Sequence, residues 1–289
     1  MRLVNVADSG GDRCGFLLGE YVVFIDEVAP DLGGYGVRQL IRDSRLRELA
    51  ARMHRIQADM GRPLAGLHLR PPIPDPSKII GVGLNYRGHA DEQNVPYPEQ
   101  PMLFAIAPSA LAGPRDPIIL PADAQAVDYE VELVVVIGER CRHVPVEAAM
   151  RVVAGYMIGN DVSERRWQKA DKQFYRAKSC DTFFPCGPAF VSSDEIADYR
   201  QLLLTTSIGE QQLQRALAAD LIHDIPALIA YISRYQTLEP GDLITTGTPA
   251  GVGCYRHPKR FLQPGEVVTC SIDDLGSLVN PVQREEIRG

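Results

Sequence analysis

Asp128-Tyr129-Glu130-Val131-Glu132-Leu133-Val134-Val135-Val136-Ile137-Gly138 joins two patterns with opposite demands. The right half is a β-branched apolar run closed by glycine, which predicts a buried strand. The left half sets Glu130 and Glu132 two residues apart, and on a strand such side chains share one face. Their carboxylates would then stand roughly 7 Å apart and repel by about 2 kcal/mol at an effective dielectric of about 20. A strand entering a core does not tolerate this uncompensated. Either one carboxylate keeps its proton, or both face water on an edge strand, or a cation sits between them. Oxygen-only ligation suits a hard divalent ion such as Mg²⁺, Mn²⁺ or Ca²⁺.

On the N-terminal side, Leu3 to Val6, Gly15 to Leu18 and Tyr21 to Ile25 are short strand-like runs separated by glycine turns, which predicts a small antiparallel meander. Apolar residues from Val37 to Ile56 fall at helical spacing, as one amphipathic helix or two short ones. Pro71, Pro72, Pro74 and Pro76 then stop regular structure. The predicted organisation is a small N-terminal α+β domain over residues 1–70, a proline-rich connector over 71–76 and a second domain over 77–289. Gly81-Val82-Gly83-Leu84-Asn85-Tyr86 resembles the start of a dinucleotide fingerprint, but Tyr86 stands where the third glycine belongs, which argues against a Rossmann site. Beyond it, His89 and Glu92 would share a face on one helical turn. A carboxylate beside an imidazole orients it and raises its basicity, as a general base requires, although the same pair also serves as an ordinary surface ion pair.

On the C-terminal side, a strand over Ala154 to Gly159 delivers Asp161 at its end, a position for ligands, turns and caps alike. Arg165, Arg166 and Gln168 surround the single tryptophan, Trp167, and suit either carboxylate recognition or an exposed basic turn. Lys178 lies among small and aromatic residues, as a partly buried ammonium near an anion or as a solvated loop residue. Ile225, Leu228, Ile229 and Ile232 form the core face of a helix ending near Tyr235. A strand from Leu243 then enters Gly247-Thr248-Pro249-Ala250-Gly251-Val252-Gly253, which lacks the Gly-Lys-Ser/Thr of a Walker loop yet can offer N–H groups and hydroxyls to a carboxylate.

The composition, 45% hydrophobic and 23% charged over 289 residues, predicts a soluble globular protein. A net charge of -7 disfavours nucleic acid and anionic membrane as partners and leaves small anions where basic residues converge locally. The opening residues contain no uncharged h-region, and no stretch reaches the roughly 18 apolar residues of a membrane helix, so a cytoplasmic location is expected. Six cysteines without a CxxC pair predict reduced core residues rather than disulfides or a zinc site.

Five ordered blocks together resemble the fumarylacetoacetate hydrolase family over roughly residues 77 to 282. They are Gly83-Leu-Asn-Tyr86 with His89 and Glu92; Asp128-Tyr-Glu-Val-Glu132; Asn160-Asp161 with Arg165 and Gln168; Ala177-Lys178-Ser179; and Pro240-Gly-Asp242 with Thr246 to Gly253. The resemblance implies a mainly β fold with short helices (α+β), a mixed β-roll or sandwich behind the small N-terminal domain, and a homodimer. It implies that Glu130, Glu132 and Asp161 hold one Mg²⁺ or Mn²⁺, that Lys178 stabilises negative charge, and that Arg165, Gln168 and Thr248 contact the substrate. His89 and Glu92 match a water-activating dyad on a lid. The implied activity is metal-dependent hydrolysis of a C–C bond in 1,3-dicarbonyl 2-oxo acids of the acylpyruvate type through a metal-bound enolate. Decarboxylation, dienoate isomerisation or hydration at the same site, and a catalytically lapsed ligand-binding protein, are the alternatives. One departure stands out: many members carry a lysine in a Phe-x-Lys-x-Pro-Ser block, where this chain reads Phe104-Ala-Ile106-Ala-Pro108-Ser109. Loss of that ammonium at the pocket edge or its support points to a more apolar or specialised substrate.

Overall fold

The computed structural model describes residues 1–286. Val131–Ile137 is a fully buried strand inside a 12-stranded mixed sheet, not at its edge. It pairs antiparallel with Val153–Asn160 on one side and with Leu243–Thr245 on the other. Leu133, Val135 and Ile137 enter one core while Val134 and Val136 enter a second. Coverage on both faces is why the run is apolar throughout instead of alternating.

The strand starts at Val131, which corrects the expectation that both glutamates lie on it. Upstream, Val127–Asp128 pairs with Ser163–Glu164 in a separate small ladder. Between the two ladders the Tyr129 N–H is taken by the Asp128 carboxylate and the Glu130 N–H by the Asn160 side chain. Side chains thus replace strand partners there, and a Glu130 carboxylate oxygen comes within 4.8 Å of one on Glu132.

Leu243–Thr245 runs parallel to Ile79–Gly83, which pairs antiparallel with Met102–Ile106. Beyond Val153–Asn160 the sheet continues through Phe184–Ser192 to the expected meander of Arg2–Val6, Arg13–Leu18 and Tyr21–Phe24. The helical stretch forms two helices, Val37–Arg42 and Leu46–Arg52, separated where Ser44 takes a left-handed conformation. A five-stranded sheet is ordered Gln211–Leu217, Leu203–Ile208, Val267–Ile272, Gly276–Arg284 and Ile118–Leu120.

Helix Ile225–Tyr235 starts where Asp224 accepts a hydrogen bond from the Ala227 N–H (3.0 Å), with Pro226 in its first turn. Its face of Ile225, Leu228, Ile229 and Ile232 is buried with Leu204, Val268 and Leu278. Each such side chain contributes about 2 kcal/mol of apolar burial. Among the described residues no helix is long and apolar enough to cross a membrane.

Strand direction decides where chemistry can occur. The parallel strands Ile79–Gly83 and Leu243–Thr245 both end at one edge of the sheet. Val131–Ile137, antiparallel to the second, begins there, and Val153–Asn160, antiparallel in turn, ends there. Glu130 and Glu132, Asp161, the helix Arg87–Gln93 and the glycine-rich turn after Thr245 are thereby gathered from distant parts of the chain.

Candidate metal centre

Glu130, Glu132 and Asp161 are all buried, and one carboxylate oxygen from each lies within 4.8 Å of the others. Each is held from outside the cluster. Glu132 Oε2 accepts from the Thr245 hydroxyl and from the Gly247 N–H (2.8 Å). Gly247 has φ +97°, and a Cβ there would stand 2.9 Å from Asn85 Cβ, so only glycine can present this donor. Glu130 Oε1 accepts from Arg165 Nη2 at 2.5 Å, and its Oε2 from Lys178 Nζ at 2.7 Å. Lys178 Nζ also donates to Asp161 Oδ2. Asp161 Oδ1 is buried with no hydrogen-bond partner.

Burial opposes ionisation at all three carboxyls, and the neighbours decide the outcome. At Glu130 burial is outweighed by Arg165 and then Lys178, and its pKa falls to about 2. At Asp161 burial wins over Lys178 and the pKa rises to about 6. Glu132 is raised well above the carboxylate range by burial, then by Asp161 and Glu130. Burial works against the Lys178 ammonium, but Asp161 and Glu130 more than restore it. Even with Arg165 and Lys178 beside the cluster, burial and the two neighbouring carboxylates therefore leave Glu132 holding a proton. An orphaned Asp161 oxygen, three hard oxygen donors and a proton to displace together fit a divalent ion such as Mg²⁺ or Mn²⁺.

The cluster forms one wall of a cavity of about 1090 Å³. Another wall is aromatic, with Phe104 and Phe174 edge to face at 5.4 Å and Lys178 Nζ 5.0 Å from the Phe104 ring centre. Gly81 makes room for it, since a Cβ there would fall 2.2 Å from the Phe104 ring. The incomplete dinucleotide pattern thus leaves space for a side chain rather than for phosphate. His89, Gln93 and Tyr255 line a third side.

Most residues singled out in the sequence meet here. His89 Nδ1 and Glu92 Oε1 are 2.6 Å apart, and Glu92 Oε2 accepts from the Gly251 N–H at 2.8 Å. Glu164 accepts from the Trp167 N–H (2.7 Å) and so starts the helix Arg165–Asp171. That helix points Arg165 at Glu130 and sets Gln168 Oε1 3.1 Å from Arg165 Nη1. Thr248 lines the cavity, but its hydroxyl donates to Val131 O and accepts from Gln214. Ile106, expected at the pocket edge or its support, is 2% exposed and packs with Ile79, Val134 and Leu243, off the cavity lining. That position belongs to the core, so it gives no reason to expect a more apolar substrate.

Two positions of the site escaped the sequence reading. Asp128, quoted as the first residue of the strand stretch and of its family block but given no role, binds Arg165 and the amides of Gly253 and Cys254. Gln93 reaches His89 Nε2 at 2.9 Å. Its place four residues after His89 on a helix was the available signal.

Residues 78–283 match the family model described as fumarylacetoacetate (FAA) hydrolase C-terminal. The chain belongs to the fumarylacetoacetate hydrolase family. Within the family it is 44% identical over 220 residues to "Oxaloacetate tautomerase fahd2, mitochondrial" of Xenopus laevis, covering 75% of this chain and 69% of that protein. Among solved structures, maleylpyruvate hydrolase from Sphingobium sp. SYK-6, in complex with manganese(II) and pyruvate, is 33% identical with a TM-score of 0.82, covering 99% of this chain and 100% of that one. 5-Carboxymethyl-2-hydroxymuconate delta-isomerase from Mycobacterium smegmatis is 36% identical with a TM-score of 0.78, covering 99% and 100%. The family fold thus extends over the N-terminal meander as well as the region that the family model matches.

Proposed function

We propose that this enzyme interconverts the keto and enol forms of a small 2-oxo acid such as oxaloacetate. The observation that carries the reading is the 44% identity to a protein named as an oxaloacetate tautomerase. The site supplies the groups that such a proton transfer needs. A divalent ion held by Glu130, Glu132 and Asp161 would polarise the oxygens of a bidentate 2-oxo acid. Arg165 keeps unused N–H groups beside Gln168 for the substrate carboxylate. His89, with its Nδ1 proton directed at Glu92, takes a proton from C3, the C–H electron pair becomes the C2=C3 π bond, and the carbonyl π pair moves onto the 2-oxo oxygen. The buried Lys178 ammonium offsets the charge on that oxygen until a proton returns there.

Hydrolysis of an acylpyruvate is the second reading, favoured by the His89–Glu92 dyad and by the likeness to maleylpyruvate hydrolase. In it His89 takes the proton from water, the water oxygen attacks the distal carbonyl, and the C–C electron pair leaves with the 2-oxo acid. Stopped-flow mixing of Mn²⁺-loaded protein with freshly dissolved enol oxaloacetate separates the two. Faster decay of the enol absorbance, lost in His89→Ala, is expected. No acceleration of that decay, together with release of pyruvate from an acylpyruvate, would move the assignment to hydrolysis.

A further inference from the structure

Both nitrogens of the His89 imidazole are occupied. An ionised carboxylate only accepts, so the 2.6 Å contact with Glu92 puts the proton on Nδ1 and leaves the lone pair on Nε2. That lone pair faces the Gln93 side-chain nitrogen at 2.9 Å, so the amide donates to it. The other end of the amide, Oε1, accepts from the Tyr255 hydroxyl at 3.0 Å. With the imidazole neutral, as a base requires, a flipped amide would set its oxygen against the lone pair, acceptor against acceptor, which fixes the sense of the amide. Tyr255 also packs edge-on against the imidazole, with ring centres 5.9 Å apart. Gln93 and Tyr255 both line the cavity, and Gly251, four residues before Tyr255, holds the other oxygen of Glu92.

We propose that Gln93 is a positioning residue that caps the base. In the resting enzyme its amide holds the His89 lone pair, and an entering substrate displaces it. Tyr255 is the post on which the amide turns. The inference rests on His89 being the base, and it explains how an open cavity keeps that base from reacting at rest.

The test compares Mn²⁺-loaded wild type, Gln93→Leu and Tyr255→Phe, with His89→Ala identifying the signal of His89. Carbethoxylation of His89 by diethyl pyrocarbonate should run about fivefold faster in Gln93→Leu, the factor for one neutral hydrogen bond of about 1 kcal/mol, and by a smaller factor in Tyr255→Phe. The ¹⁵N resonance of His89 Nε2 should shift toward that of an unbonded acceptor in the same order. KM for oxaloacetate should fall by up to about fivefold in Gln93→Leu, because the cap no longer has to be displaced. Tyr255→Phe leaves the helix sequence untouched, so its response separates capping from a disturbed helix. Unchanged reaction rates and resonances in both variants would overturn the cap. If they change while His89→Ala retains full turnover, the cap stands as a contact but the base assignment falls, and the proposal with it.

Discussion

Asp128 and Arg165 form an ion pair, 2.8 Å from Oδ2 to Nε, that ties the acidic cluster to the turn carrying Gly253 and Cys254. The same carboxylate accepts from the Gly253 N–H at 2.7 Å and the Cys254 N–H at 3.0 Å. Arg165 in turn reaches Glu130, and the 251–255 segment holds Glu92 and Gln93. One fully buried side chain thus stands between the carboxylates and the histidine dyad.

Asp128→Ala should accordingly cost about 3 kcal/mol of stability, the range for removing one partner of a buried ion pair. It should also lower turnover, because Arg165 and the 251–255 segment lose a common anchor. Denaturant midpoints with and without Mn²⁺ measure the first effect and initial rates the second. A midpoint within error of wild type would show that water replaces the carboxylate.

Lys178→Met should part binding from turnover. The ammonium bridges Glu130 and Asp161, and on the proposed mechanism it would compete with a cation while offsetting charge on a substrate oxygen. Titration calorimetry should find Mn²⁺ bound at least as tightly as in wild type. Turnover should fall by about a hundredfold or more, the scale for losing one electrostatic contact to a developing oxyanion. Weaker metal binding would contradict this account.

The metal-free protein should lose stability as pH rises from about 4 to 6. Asp161 is raised from 3.8 to about 6, so over that window the folded chain holds a proton that the unfolded chain has released. Glu132 acts in the same sense. Glu130, lowered from 4.5 to about 2, acts oppositely, but its contribution is gained between about pH 2 and 4.5, so it opposes the fall only at the low end of the window. Calorimetric Tm values in chelator should therefore fall across the window, and less steeply in Asp161→Asn. An identical slope in the variant would exclude Asp161 as a source.

Gly81→Ala tests the aromatic wall. Its new methyl would fall 2.2 Å from the Phe104 ring, and Phe104 lies beside Lys178. Overpacking of this kind costs about 1 to 3 kcal/mol. The shifted ring should raise KM more than it lowers kcat, as steady-state kinetics on oxaloacetate would reveal.

How much of this was legible depended on the range of the interaction. The apolar run after Glu132 announced a buried strand, and Asp161 was recognisable at the end of another. The i, i+3 spacing of His89 and Glu92 was also local. The resemblance to a family brought the carboxylates together, since no spacing relates Glu130 to Asp161. The break before Val131 was hidden because the partners that replace the ladder, Asn160 above all, lie 30 residues away. Asp128 was passed over for the same reason: three of its four hydrogen-bond donors, on Arg165, Gly253 and Cys254, are remote in sequence. Ile106 was misplaced because a family motif names a residue type and not how far along the strand it falls: Met102 and Phe104 line the cavity, whereas Ile106 pairs with Ile79 at the other end.

The gathering of distant strand ends also bears on kinetics. Glu132 and the turn that anchors it are 115 residues apart, so an ion finds its ligand set only after the central pairings have closed. An ion that binds only after that closure would stabilise the native state without speeding its formation, and so would retard escape from it. Mn²⁺ should therefore lengthen the half-life of the folded chain in denaturant while leaving the rate of refolding from denaturant where it was.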